Sequence, residues 1–168
     1  MRLLIVFISA MLFAQASFAC ECARHTSPTD LPPGEAGQML AVKLATHRVK
    51  STEEILRVKV LVRSTVGNLT TYKVQVLETL QSSRKEAVDR TLTTGPNSCH
   101  LSLAVGEEWL LFVNAEHLMQ CNGHALLSNA ANNPSVSSSE AARTNAFHYK
   151  AGAEWLRLVR STVAERRK

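Results

Sequence analysis

Aromatic residues make up only 5% of this 168-residue chain, glycine occurs 7 times and proline 5 times, and long apolar runs are scarce. So few glycines exclude a collagen-like chain, and 45% hydrophobic residues exclude a wholly disordered one. A multi-pass membrane protein needs several apolar stretches of about 20 residues, and the chain has no such set. Enzymatic signatures are missing as well: there is no Ser/His/Asp elbow, no His-Glu-x-x-His and no phosphate loop. What is present is the material of one ordinary domain, with apolar residues enough for a core. Nineteen Lys and Arg stand against 14 Asp and Glu, for a net charge of +5, and there are four cysteines.

Residues 1–19 read as an export signal. Arg2 supplies the basic start, Leu3 to Phe13 the apolar stretch, and Ser17-Phe18-Ala19 the small residues that a signal peptidase inspects. The apolar stretch falls short of a transmembrane span, and Gln15 and Ser17 interrupt its far end. Cleavage after Ala19 leaves 168 less 19, or 149 residues, and loss of Arg2 lowers the charge from +5 to +4. The expected destination is secreted or periplasmic, where paired cysteines oxidise. A lipoprotein would also begin at Cys20. Its signal needs an aliphatic residue where Ser17 stands and a small one where Phe18 stands, so lipidation is the weaker reading.

The mature chain opens with Cys20-Glu21-Cys22. Ser27-Pro28-Thr29-Asp30 has the capping residues of a short helical turn, which Pro32-Pro33-Gly34 then ends. From Leu40 the pattern has period two. Leu40, Val42 and Leu44 predict one strand, Leu56, Val58, Val60 and Val62 a second, and Tyr72, Val74 and Val76 a third, with Gly67-Asn68 turning between the last two. A weaker strand is expected over Val88 to Thr94. The continuous run Trp109-Leu110-Leu111-Phe112-Val113 predicts a strand buried on both faces. Five strands with no long helix between them favour a small closed barrel. Residues 128–138 read as a linker. Ser137 and Glu140 form a capping box for a basic amphipathic helix over 139–168, whose apolar face is Phe147, Ala151, Trp155, Leu158 and Thr162 and which is expected to pack on the barrel.

Four cysteines allow three pairings, and bridging Cys20 to Cys22 across one residue would be strained. Two arrangements remain, and in each Cys20 and Cys22 are tied to Cys99 and Cys121. Each closes a loop of about 80 to 100 residues, worth roughly 4–5 kcal/mol on the chain-entropy account.

The start Cys20-Glu21-Cys22, the strand-rich middle, and Thr94-Gly95-Pro96-Asn97-Ser98-Cys99 leading through Gly106-Glu107-Glu108-Trp109-Leu110 to Cys121 resemble the tissue inhibitors of metalloproteinases and the wider netrin-like module family. The likeness covers residues 20–127 and is to single-domain, bacterial-type members. It implies a mainly β fold, a five-stranded OB-fold barrel, with Cys20 paired to Cys99 and Cys22 to Cys121. The third disulfide and the second, six-cysteine domain of the animal inhibitors have no counterpart here.

The resemblance also implies a mechanism. The α-amino nitrogen and carbonyl oxygen of the first residue, Cys20, would chelate the zinc of a target metalloprotease in the position its catalytic water holds. The protein would carry no cofactor of its own, zinc belonging only to the partner. Glu21 would enter the protease's specificity pocket, and Cys22, Cys99 and His100 would complete the contact surface. Burying the Glu21 carboxylate in an apolar pocket is costly, so the fit is to a pocket that holds Arg or Lys. The competing expectation is a non-inhibitory extracellular or periplasmic protein-binding module on the same scaffold. Cys121-Asn122-Gly123-His124 has Cys-x-x-His spacing and admits a zinc site, though oxidation of the thiols competes with it. The basic C-terminal helix reads as a solvated face with, at most, weak polyanion contact. No aromatic platform for nucleic acid is interleaved with it, and no transmembrane segment is expected.

Overall fold

Antiparallel ladders organise the middle of the chain in the computed structural model, which describes residues 34–84, 88–94, 101–118, 123–128 and 139–168, the side chains of the last stretch from Gly152 onward. Strand β1 (Glu54–Val66) turns through Gly67-Asn68 into β2 (Leu69–Gln81), with Val66 paired to Leu69. Gly67 has φ 59°, which suits the first central position of a two-residue hairpin turn and a residue without Cβ. Strands β3 (Asp89–Thr94), β4 (Glu108–Val113) and β5 (Ala125–Ser128) complete a five-stranded antiparallel sheet in the order β3-β2-β1-β4-β5. The protein is thus mainly β. Beyond the ladders, Thr93 of β3 forms a parallel bridge with His117, in the turn that follows β4.

Two helices accompany the sheet. Helix α1 (Glu35–Ser51) stands where Leu40, Val42 and Leu44 had pointed to a strand. Three alternating apolar residues fit a helix as well as a strand. The longer pattern decides: Gly37, Ala45 and Val49 are buried and Ala41 half-buried, a stripe recurring every four residues, while Val42 is exposed. Gln, Met, Leu, Ala and Lys between them are good helix formers. Gly34, expected to help end a helix, instead stands before the first turn of α1 and accepts the Gln38 amide on its carbonyl. The N-terminal helical turn over Ser27–Asp30 lies outside the described residues. The fifth strand of the sheet is therefore not the one over Leu40–Leu44 but β5, four residues too short to show a periodicity.

Helix α2 (Ser139–Arg166) carries the C-terminus. Its buried face is Gly152, Trp155, Leu156, Val159 and Val163, one position round from the expected stripe. Leu158 and Thr162 lie at its margin. The reason is Gly152, where an added Cβ would lie 2.2 Å from the carbonyl oxygen of Leu126. That close approach lets α2 lie directly on β5 and fixes its rotation.

The core divides at the sheet. On the helix side Ile55, Leu80, Leu110, Phe112 and Ala125 pack with Ala45 and Val49 of α1 and with Trp155, Leu156, Val159 and Val163 of α2. On the other side Leu56, Val58, Val60, Tyr72, Val74, Leu92, Leu111 and Val113 pack with Leu103 and Leu118, and no helix residue among the described ones contributes. Strand β4 alternates between the two and is buried on both faces, as its unbroken apolar run predicts. Val62 does not join the second cluster and is exposed, because the ladder to β2 shifts register between Val60 and Val62.

Gly152→Ala is expected to lower stability by about 2–4 kcal/mol in chemical denaturation, despite the better helix propensity of alanine, because the methyl group has no space against Leu126. Ala115 and Glu116 form a two-residue turn with φ 49° and 66°. Ala115→Gly is expected to raise stability by about 1 kcal/mol through relief of the positive φ, with the same denaturation curve as the readout.

Candidate functional site

The residues named for function by the sequence, Cys20, Glu21, Cys22, Cys99, His100 and Cys121, lie outside the described residues, as do the two disulfide pairings. The residues that flank them are described. Thr94 and Leu101 bracket the segment bearing Cys99 and His100, and Leu118 and Gly123 bracket the segment bearing Cys121. Thr94 pairs with Thr70 at the end of β3. The Tyr72 hydroxyl donates to the Leu101 carbonyl at 3.0 Å and accepts the Leu103 amide at 3.4 Å. Leu118 donates its amide to the Thr93 carbonyl at 2.9 Å. Three of these four flanking residues thus converge on the last residues of β3 and on Tyr72 of β2.

The Gly106-Glu107-Glu108-Trp109 signature does open a strand, and its geometry gives the reason. Gly106, at φ 88°, donates its amide to the Val60 carbonyl, and Val60 returns its own amide to the Glu107 carbonyl. The Glu107 carboxylate is buried and accepts the Ala104 amide and the Trp109 indole N–H, both at 2.8 Å. Glycine allows the turn, and the acid closes it before β4 begins.

His124 is buried beside Phe112, and its Nδ1 accepts the Phe112 amide at 3.1 Å. That nitrogen is therefore engaged by the main chain, and Cys121, the other member of the Cys-x-x-His spacing, lies outside the described residues. Among the described residues no group of three His, Cys, Asp or Glu side chains is placed to hold a metal ion.

The structure assembles a charged cluster that the sequence pattern did not single out. Glu54, at the first position of β1, is 1% exposed. It accepts Arg90 in a two-pronged ion pair at 2.7 and 3.2 Å and the Ser82 hydroxyl at 2.7 Å. Arg84 pairs with Glu116 at 2.9 Å, and Glu116 lies 3.9 Å from Arg90. Next to it Glu53 accepts the Ala115 amide and donates its own amide to Asn114. The cluster thus clamps the positive-φ turn after β4 onto the starts of β1 and β3. An open groove of about 340 Å³ lies alongside, lined by Glu53, Gln81, Ser82, Ser83, Val163, Arg166 and Arg167. A charge pattern gives this no signal, because the partners are separated by 26 to 36 residues and only the fold joins them.

The basic C-terminal helix is in large part engaged. Arg160 pairs with Glu78, Arg166 donates to the Val49 carbonyl at the end of α1, and Arg167 donates to the Leu80 carbonyl. Gln81 joins Arg166 at the Val49 carbonyl and reaches the Thr52 carbonyl as well. These cations remain exposed, as a solvated face would be, while their side chains also reach helix and strand ends. No helix among the described residues is long and apolar enough to cross a membrane.

Compared with known proteins, the sequence matches no family model and no curated protein.

Burial pushes the Glu54 carboxyl upward, but hydrogen bonds from Arg90 and Ser82 and the charges of Arg90 and Arg84 outweigh it and hold Glu54 below its ordinary value of 4.5. Glu78 is likewise lowered, first by Arg160. A carboxylate whose value is lower folded than unfolded stabilises above the unfolded value and loses that contribution as pH falls through the folded one. Thermal melts should therefore show a stability that declines below about pH 4.5. Glu54→Gln should flatten that acid limb and, by leaving Arg90 only the more distant Glu116 at 3.9 Å, cost about 3 kcal/mol at neutral pH.

Proposed function

We propose that this protein is an exported OB-fold barrel of the netrin-like type that inhibits a zinc metalloendopeptidase, its Cys20 amine and carbonyl oxygen chelating the protease's zinc. The observation that carries the reading is the strand connectivity around β3. Strand β1 pairs with both β2 and β4, and β3, at one end of the sheet, meets the turn after β4 through the Thr93–His117 bridge, a contact in keeping with a sheet that curls toward closure. The second apolar cluster, to which no helix residue among the described ones belongs, supports the same closure.

The flanking residues Thr94, Leu101 and Leu118 meet at that junction. Disulfides from Cys20 to Cys99 and from Cys22 to Cys121 would then fasten the mature N-terminus to it. A chelate fixed at both cysteines loses little entropy on binding. The α-amino group, with an ordinary value of about 7.7–8.0, gives up its proton to the metal at modest cost near neutral pH. Glu21 would stand in the specificity pocket, its carboxylate paired with a basic residue of the target. His100 would border the contact.

The test is inhibition of a panel of zinc endopeptidases by the processed protein, beside a form with one alanine added before Cys20. The expected result is inhibition confined to proteases with a basic specificity pocket and abolished by the extension, with Glu21→Thr shifting the preference toward apolar pockets. Equal potency of the processed and extended forms would overturn the chelation mechanism. Absence of inhibition by either would leave the scaffold as a non-inhibitory protein-binding module.

A further inference from the structure

The β1–β2 hairpin extends beyond the rest of the sheet. Strand β4 pairs with β1 only from Glu54 to Lys59, and Val60 then closes that side through its two hydrogen bonds to Gly106 and Glu107. From Leu61 to Val66 the side of β1 turned away from β2 has no strand partner among the described residues, and all six residues are exposed. The two-residue turn makes Val66 and Leu69 a hydrogen-bonded pair, and the alternation of an antiparallel ladder assigns Ser64 and Val62 the same role. Arg63 and Thr65 therefore direct their N–H and C=O groups outward. Val62 (48% exposed), Val66 (78%) and Leu69 (44%) form an apolar stripe on one face of this edge. The edge holds no proline, no lysine and no acid, the devices that commonly protect an open strand.

We propose that this edge is a self-association site, in which Leu61–Val66 of two copies pair antiparallel about a two-fold axis at Ser64. The register follows from the outward groups. With Ser64 opposite Ser64, Arg63 of each copy exchanges main-chain hydrogen bonds with Thr65 of the other. On the apolar face Val62 of each copy packs against Val66 of the other, a β-branched cross-strand pair made twice. A register centred on Arg63 would set two guanidinium groups directly opposite, and one centred on Thr65 would shorten the ladder into the turn. A second copy therefore suits this edge by hydrogen bonding and by the Val62–Val66 packing, with Arg63 opposite a neutral Thr65. The contact is small, so the dimer is weak and depends on concentration. The inference is independent of the inhibitor reading.

Sedimentation velocity on the exported protein over a range of concentrations tests it. The expected mass rises from one chain to two. Thr65→Pro removes an N–H that the β1–β2 ladder does not use, and should give the single-chain mass with the thermal melt preserved. Should that variant melt early, Val66→Lys at the exposed stripe gives the same loss of dimer without altering the backbone. Thr65→Glu places a carboxylate opposite Arg63 of the second copy and should lower the dissociation constant about three- to tenfold, a gain that added salt erodes. A single-chain mass at the highest soluble concentration overturns the proposal. So does a dimer indifferent to all three substitutions, or an edge that takes only an unrelated protein.

Discussion

Strands β1 and β4 have to satisfy two apolar clusters at once, and most of the architecture follows from that requirement. Ile55, Leu110 and Phe112 face the helices, while Leu56, Leu111 and Val113 face the opposite way. A ladder buried on both sides cannot stand as one free sheet over water. The helices answer the first face. The second is lined by the strands' own residues, Tyr72, Val74 and Leu92 beside those of β1 and β4, with Leu103 and Leu118 packed among them. The turn after β4 completes that side, and Glu53, Glu54, Arg84 and Arg90 are spent on holding it in its positive-φ conformation.

The C-terminal helix is an integral part of this arrangement. Trp155 packs its ring on Phe112, with centroids 6.3 Å apart, and donates its indole N–H to the Gly123 carbonyl. Gly152 brings the helix axis close enough for both contacts. Its last arginines then reach back to the ends of α1 and β2, so that the terminus closes the helix side of the core. The proposed pairing edge at Leu61–Val66 of β1 is separated in the sheet by β4 from β5, on which this helix lies.

Strands β1 to β4 and the hairpin turn were legible because their side chains repeat every two residues, or run unbroken where both faces are covered. The Gly106 signature was legible as the opening of a strand for a local reason, since glycine and the acid three residues after Ala104 act within one turn. Leu40 to Leu44 misled because so short an alternation fits either period, and the deciding stripe at Gly37, Ala41, Ala45 and Val49 consists of small residues that carry little hydrophobic signal. The rotation of α2 was displaced for a related reason: the position that sets it is a glycine. The Glu54–Arg90–Ser82 cluster could not be read at all, because its members are scattered polar residues of ordinary type.

The sequence by itself determined the periodic elements, the glycine-dependent turns and the two-sided burial of β4, because each is a property of neighbouring residues along the chain. Only the tertiary structure decided which strand is fifth, which cations are engaged, and where the ion-pair cluster and the unpaired edge lie. Those depend on separations of tens of residues closing to a few ångströms, and on which backbone groups the neighbouring strands leave unsatisfied.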